Sequence, residues 1–368
     1  MVLMMIDDIM CNKSSEKNVL VAMSGGVDSS VAALILRNKG FECLGVTMNI
    51  CRKDADKENV SKDIMDAKRV SELLGMKHIL LDLHNRFSSC VIDRFVWAYE
   101  NGITPNPCVD CNRELKFGSL FESAGEYGCD YIATGHYARI EYDCEKKRYL
   151  LKKAVTLEKD QTYVLYSLTQ ERLSHVLFPL GGLSKTEVRH LAEINNLCNA
   201  QKSESQDICF VPDGKYTAFI EKYTGKKYPE GDFVTTDGEV IGRHKGIIHY
   251  TIGQRRGLGL SLFEPLYVCD IDPVLNRVIL GRGESLFSRE LDADNVNLIS
   301  VEKISNPMRV RAKVRYRHAE QSAIVTQTGT NQIHVVFDEP QRAVTRGQAV
   351  VLYDGDVVVG GGTIVSRN

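Results

Sequence analysis

Residues 18–36, NVLVAMSGGVDSSVAALIL, carry a short apolar stretch into Ser-Gly-Gly-Val-Asp-Ser-Ser and then into an apolar pattern of helical spacing. A strand that ends on two glycines and restarts as a helix narrows the choice of fold. The strand needs a sheet, and the helix must return across a face of that sheet. The alternation continues along the first half of the chain. NVLVAM, FECLGVTMNI, HILLDL and DYIATGH are predicted strands, and 29–38, 59–75, 86–100 and 113–127 are predicted helices. Such alternation implies an α/β fold built on a doubly wound parallel sheet covered on both faces. Ligands of these sheets bind beyond the carboxyl ends of the strands, near the switch point. That gathers Ser24–Ser30, Met48 and Gly135–His136 around one crevice.

The turn itself has the chemistry of an anion site. Backbone N–H groups and the helix dipole face the ligand, and the glycines let oxygens approach. Gly25 and Gly26 permit the turn, Ser24 and Ser29 can donate hydroxyls, and Asp28 is available to a magnesium ion. No Gly-Lys-Ser/Thr follows, which excludes the phosphate loop of ordinary ATPases. A plain strand–helix turn capped by serine is the alternative.

After about residue 215 the pattern changes to short strands broken by Asp-Gly, Asp-Pro and Gly-Gly turns. This divides the chain into residues 1–215, a small β-rich unit over 216–290, and a C-terminal β-barrel over 291–368. A chain of 368 residues has room for all three. The opening MVLMMIDDIMCNKSSEKN has neither the basic flank nor the long apolar centre of a secretory signal, and is expected to be a weakly ordered tail. No apolar run reaches membrane-spanning length, so no membrane partner is expected. Eleven cysteines without a signal segment suggest a reducing, cytoplasmic setting.

Two of those cysteines stand out. In GITPNPCVDCNRELKFG (102–118), Cys108 and Cys111 lie just before a predicted helix, where the dipole favours a thiolate. One CxxC pair is too few for a structural zinc site. Cys209, in the polar run NAQKSESQDICFVPDG, reads alone as a packed cysteine. Further on, MRVRAKVRYRH places Arg309, Arg311, Lys313, Arg315 and Arg317 at alternate positions. In a strand these would share one face and make a phosphate track, reconciling a net charge of −2 with nucleic-acid binding. A solvent-facing strand is the plainer reading.

The string S-G-G-V-D-S-S resembles the pyrophosphate loop of the ATP pyrophosphatase (PP-loop, HUP-like) superfamily, which cleaves ATP between its α and β phosphates. With T-P-N-P-C-V-D-C-N-R-E-L-K-F, A-T-G-H-Y-A-R, K-D-Q-T-Y-V-L, D-I-C-F and the closing G-G-G, the chain resembles, nearly end to end, the bacterial tRNA-specific 2-thiouridylases. These place sulfur on carbon 2 of the wobble uridine. The resemblance implies that Ala22, Met23, Ser24, Gly25, Gly26, Val27, Asp28, Ser29, Met48 and Gly135 hold ATP. Cys209 would carry a persulfide, and Cys111 would complete the transfer. Asn106, Pro107 and Cys108 would meet the target base. His136, Lys159, Asp160, Gln161, Arg315, Tyr316 and Gln348 would contact tRNA. ATP, Mg2+, tRNA and a persulfide donor such as a cysteine desulfurase or relay protein are the implied ligands and partners. Many members of the family have Asp where this chain has Cys108. The change leaves the base unassigned, since Asp110 need not point the same way. It also makes a three-thiol set, Cys108, Cys111 and Cys209, that could hold a [4Fe-4S] cluster as in cluster-dependent tRNA thiolases. The rivals are an amide-forming ligase of the same superfamily and a tRNA-binding protein that kept the ATP fold without catalysis.

Overall fold

The structure, a computed structural model, describes residues 17–50, 57–203, 208–211, 214–261 and 264–367, with 57–61 by backbone alone. The weakly ordered tail expected at the start lies, through residue 16, outside the described residues.

The first sheet holds β1 (Asn18–Ala22), β2 (Glu42–Asn49), β3 (Lys77–Asp82) and β4 (Tyr131–Ala133). Beyond a hairpin of β5 (Ala138–Asp143) and β6 (Arg148–Lys153), it adds β7 (Val176–Leu177). The order is β3-β2-β1-β4-β7 and every pairing is parallel. β1 is apolar after Asn18 because its alternate side chains feed two cores. Val19 and Val21 pack with Val31, Ile35 and Leu36 of helix Val27–Asn38, while Leu20 packs with Phe117 and Leu120 on the opposite face. The strand order turns at β1 and β4, so the crevice falls at their carboxyl ends.

The helix expected over 113–127 starts earlier. Pro107 opens Pro107–Cys111, which runs on through the wide π turns of Asn112–Ser119 into Leu120–Glu126. Proline suits the first helical position because its missing N–H has no helical partner there. The Cys-x-x-Cys pair therefore lies inside a helix and not ahead of one.

A middle sheet of β8 (Gly231–Thr235), β9 (Val240–His244), β10 (Tyr267–Asp272) and β11 (Arg277–Gly281) runs in the order β10-β11-β8-β9. It has its own core around Phe233, Tyr250, Val268 and Leu280. The last strands are β12 (Phe287–Leu298), β13 (Met308–Lys313), β14 (Gln321–Gly329), β15 (Gln332–Arg342), β16 (Ala349–Asp354) and β17 (Val357–Arg367). They pair antiparallel, and β17 returns to β12, closing a six-stranded barrel. Lys152 of β6 pairs with Val357 of β17, so the β5–β6 hairpin joins the first unit to the barrel. The two also share a core, in which Leu20 and Ile132 meet Leu151, Tyr163, Val351 and Tyr353.

The five-cation stripe does not form as expected. Its strand stops at Lys313, and residues 314–317 bend and turn. Arg309 pairs with Asp338, and Arg311 lies 3.7 Å from Glu320. Arg315 turns inward to donate to the Ala343 carbonyl at 2.6 Å and to Thr345 Oγ1 at 2.7 Å. Acids supplied from elsewhere in the chain answer cations that look unopposed along one strand.

Candidate active site

The glycine turn is closed by its own hydroxyls. Met23 extends the β1 ladder by donating its N–H to the Val46 carbonyl at 2.8 Å. The Ser24 N–H then donates to Ser29 Oγ at 3.1 Å, and the Gly26 carbonyl accepts from Ser29 Oγ at 3.1 Å and Ser30 Oγ at 2.9 Å. No side chain caps helix Val27–Asn38 at Gly26, so its first N–H groups are open to an anion. Val27 anchors that helix end in the core. Gly25 has φ +72°, and a Cβ there would collide with the Asp63 carbonyl. Gly135, beyond β4, approaches so closely that a Cβ would sit 2.7 Å from the Ser29 nitrogen. The turn and Gly135 thus form one continuous backbone wall.

Side chains that sequence reasoning missed brace this wall. Asp28 Oδ1 accepts from Lys185 Nζ at 2.7 Å and from the Tyr137 hydroxyl at 2.8 Å. Lys185 opens helix Lys185–Ile194, which Ser184 and Glu187 fix by a capping box. The Gly25 carbonyl accepts from Asn199 Nδ2 and Lys202 Nζ, both at 3.0 Å. Lys202 also pairs with Asp66 at 2.9 Å and with Asp63. The only sequence signal was that Asn199 and Lys202 lead into the Cys209 segment.

The thiols belong to a second cluster, which β2 connects to the turn. Cys111 and Ile208 pack on a cluster containing Phe87, Phe95, Phe210 and Val211, and Met48 reaches that cluster from the end of β2. Phe210 stands edge-on to Phe87 and Phe95 at 5.5 and 5.2 Å, which fastens the turn bearing the exposed Cys209. Asn106 precedes the helix with its carbonyl accepting from the Val109 N–H, and Pro107 is buried. Cys108 is exposed, and Cys111 is half-buried. Burial pushes both thiols above the usual range, against the expectation of a dipole-lowered thiolate, with the Lys116 charge opposing the rise. The desolvation of a helix-interior thiol here outweighs the helix-end field. Asp110 is held by Arg113 at 2.7 Å and Arg94 at 3.5 Å, an engagement unlike that of a waiting base.

The residues expected to meet tRNA separate into braces and surface groups. His136 is buried, with Thr134 Oγ1 2.7 Å from Nδ1 and Lys116 Nζ 3.4 Å from Nε2. Burial and the Lys116 charge hold it neutral, well below the usual histidine range. Asp160 accepts from the Ala154 N–H and the Thr162 hydroxyl, and Gln161 Oε1 accepts from the Tyr137 N–H. Gln348 Nε2 donates to the carbonyls of Thr104 and Pro105, each at 3.0 Å, tying the barrel to the loop before Cys108. Lys159 is partly exposed in the turn Leu157–Lys159. Tyr316 is exposed, its hydroxyl 3.3 Å from the Asp160 carbonyl.

Among the described residues, no three His, Cys, Asp or Glu side chains lie close enough to hold a metal ion. Cys108, Cys111 and Cys209 do not make such a set, and a three-thiol cluster does not fit this arrangement. A single carboxylate, Asp28, beside an open helix end does fit Mg2+, which takes one or two carboxylates together with substrate phosphates. No described helix is long and apolar enough to cross a membrane.

Three family models match the chain in order. They are the tRNA methyl transferase HUP domain over residues 17–213, the tRNA methyl transferase PRC-barrel domain over 217–282, and the aminomethyltransferase beta-barrel domain over 288–364. The tRNA-specific 2-thiouridylase MnmA 1 of Caldanaerobacter subterraneus is 53% identical over 356 residues, covering 95% of this chain and 98% of that protein. The tRNA-specific 2-thiouridylases MnmA of Clostridioides difficile and Acetivibrio thermocellus are 47% and 50% identical, each over 95% of this chain and over 98% and 99% of their own lengths. About half identical to these proteins over 95% of its length, and matched in order by all three domain models, the chain belongs to the tRNA-specific 2-thiouridylase family.

Proposed function

We propose that the protein converts the wobble uridine of tRNA to 2-thiouridine, with ATP cleaved to AMP and pyrophosphate. The observation that supports this reading best is the path of β2, which meets the glycine turn where Met23 bonds Val46 and Thr47 and near its end carries Met48, packed in one cluster with Cys111, Ile208 and Phe210. The uridine O2 is a poor leaving group, so it attacks the ATP α-phosphorus and pyrophosphate departs. The N–H groups of Val27–Ser29, Lys185 and Lys202 surround the region where phosphate charge would lie. Mg2+ held by Asp28 would supply further neutralisation of that charge.

A persulfide on Cys209 attacks C2 through its terminal sulfur, and AMP leaves with the C2–O electron pair. The Cys111 thiolate then attacks the Cys209 sulfur, forming a disulfide and releasing 2-thiouridine. An external thiol reduces the pair, and an external persulfide donor reloads Cys209. The division of labour follows the chain: residues 1–215 for adenylation and sulfur transfer, 216–290 as a bridge, and 291–368 for RNA.

Nucleoside mass spectrometry tests this directly. Unmodified tRNA incubated in air with the protein, ATP, magnesium and a persulfide donor is expected to yield 2-thiouridine at the wobble position. Cys209→Ala is expected to bind tRNA and yield none. Activity only after anaerobic iron–sulfur reconstitution would replace the persulfide relay by a cluster. Absence under both conditions would remove the thiolation reading.

A further inference from the structure

The end of β2 is left open by a side-chain bond. The Val46 carbonyl accepts from the Met23 N–H and the Asn49 carbonyl from the Leu83 N–H, so successive residues of β2 turn their backbone groups to β1 and β3 alternately. Met48 falls on the β1 side, where a continued parallel ladder would carry its N–H to the Met23 carbonyl. That bond does not form. Among the described residues, neither backbone group of Met48 has a backbone partner on that side. The Met23 carbonyl accepts instead from Thr47 Oγ1 at 2.7 Å. A carbonyl has no proton to give, so the one hydroxyl hydrogen of Thr47 points there and its oxygen is left to accept. His78 Nε2, 2.9 Å away on β3, is therefore the donor, which fixes the proton on that ring nitrogen. Gly45 leaves room for the ring, since a Cβ there would sit 3.3 Å from His78 Cδ2. Thr47 is buried and Met48 partly exposed, so the latch is shielded from water while the edge it leaves open is not.

An N–H and a carbonyl side by side on one strand edge pair with a group that offers an acceptor beside a donor. Adenine does so, with N1 accepting and its 6-amino group donating. Guanine and hypoxanthine carry N1–H beside O6, which would set donor against donor and acceptor against acceptor. We propose that Thr47, oriented by His78, is a positioning residue for nucleobase choice: by holding the Met23 carbonyl it keeps the Met48 backbone pair free to read adenine, and so makes the chain select ATP among nucleoside triphosphates. The assignment rests on the ATP reading above. The resemblance puts Met48 at ATP, and the latch is what leaves Met48 a donor and an acceptor to offer.

The test uses the full chain and isothermal calorimetry with ATP and with 1-deaza-ATP, whose ring has C–H in place of N1. The wild type should bind 1-deaza-ATP roughly three- to tenfold more weakly than ATP, the worth of one hydrogen bond. Thr47→Val keeps the shape of the side chain without its hydroxyl, and frees the Met23 carbonyl to take the Met48 N–H. In that variant ATP should weaken by the same factor, and the ratio between the two nucleotides should fall to about one. Thr47→Ser returns the hydroxyl and should return the ratio. In single-turnover thiolation, Thr47→Val should raise the ATP concentration that gives half the maximal rate and leave the rate at saturating ATP unchanged. A variant that weakens both nucleotides alike, keeping the ratio of the wild type, would overturn the assignment and leave Thr47 a part of the general fold. So would a wild type that binds the two nucleotides equally. A wild type that binds no ATP would instead remove the ATP reading itself, a result distinct from ATP binding that ignores Thr47.

Discussion

Cys111 ionises against most of its surroundings. Burial, Cys108 and Asp110 all raise its pKa, and Lys116 is the opposing charge. The thiolate fraction should therefore climb only above the ordinary thiol range. Lys116→Met removes a charge that favours the anion, so the pKa should rise further. Alkylation of Cys111 with iodoacetamide, followed across pH by peptide mass spectrometry, should show its inflection move to higher pH in the variant. An unchanged inflection would mean that the thiol does not feel Lys116. Gly25 is the other single position with little latitude, since its φ of +72° and the Asp63 carbonyl both oppose a side chain. Gly25→Ala is expected to lose ATP binding, read by isothermal calorimetry, and to melt at a lower temperature.

At the scale of elements, two struts hold the reacting parts together. Lys202 gathers the Gly25 carbonyl, Asp63 and Asp66, and Asp66 is 7% exposed. Lys202→Met leaves that carboxylate buried without its cation, at a cost of about 1–3 kcal/mol. Thermal melts should show the loss, and the rise in melting temperature on adding ATP should shrink. Gln348 is the second strut, from barrel to thiol loop. Gln348→Ala should keep the melting temperature and ATP affinity but slow sulfur transfer about ten- to a hundredfold, because misplacing a reacting group by an ångström costs that much. A normal single-turnover rate would mean that the loop holds its place unaided. Neither strut was legible in the sequence. β1, its turn and its helix were, because apolar periodicity and glycine placement are local properties of consecutive residues. Lys202, Lys185 and Gln348 act on residues more than a hundred positions away, and no local pattern marks such pairings. The cation stripe misled for the same reason, since Asp338 comes from another strand.

For the whole molecule, the first unit and the barrel are bound by one core. Tyr163, Val351 and Tyr353 are almost wholly inaccessible, in a cluster that also holds Leu20 and Ile132. Differential scanning calorimetry is expected to show these two regions melting in one transition. A fragment ending at residue 215 should then fail to give a cooperative melt. A fragment that unfolds with the full calorimetric enthalpy of its share would show the cores to be independent. The order of the three units was readable from their changing periodicity, but their fusion was not, because it depends on a hairpin that leaves the first unit to pair elsewhere.

That hairpin sets a timetable for synthesis. Lys152 finds its partner Val357 some 205 residues later in the chain. At a ribosomal pace of about 5–20 residues per second, the edge of β6 and the apolar face beneath it wait roughly 10–40 s for the last strand to emerge. During that interval the nascent protein presents an unpaired strand edge to its neighbours, and its yield in the cell should depend on what shields that edge until translation ends.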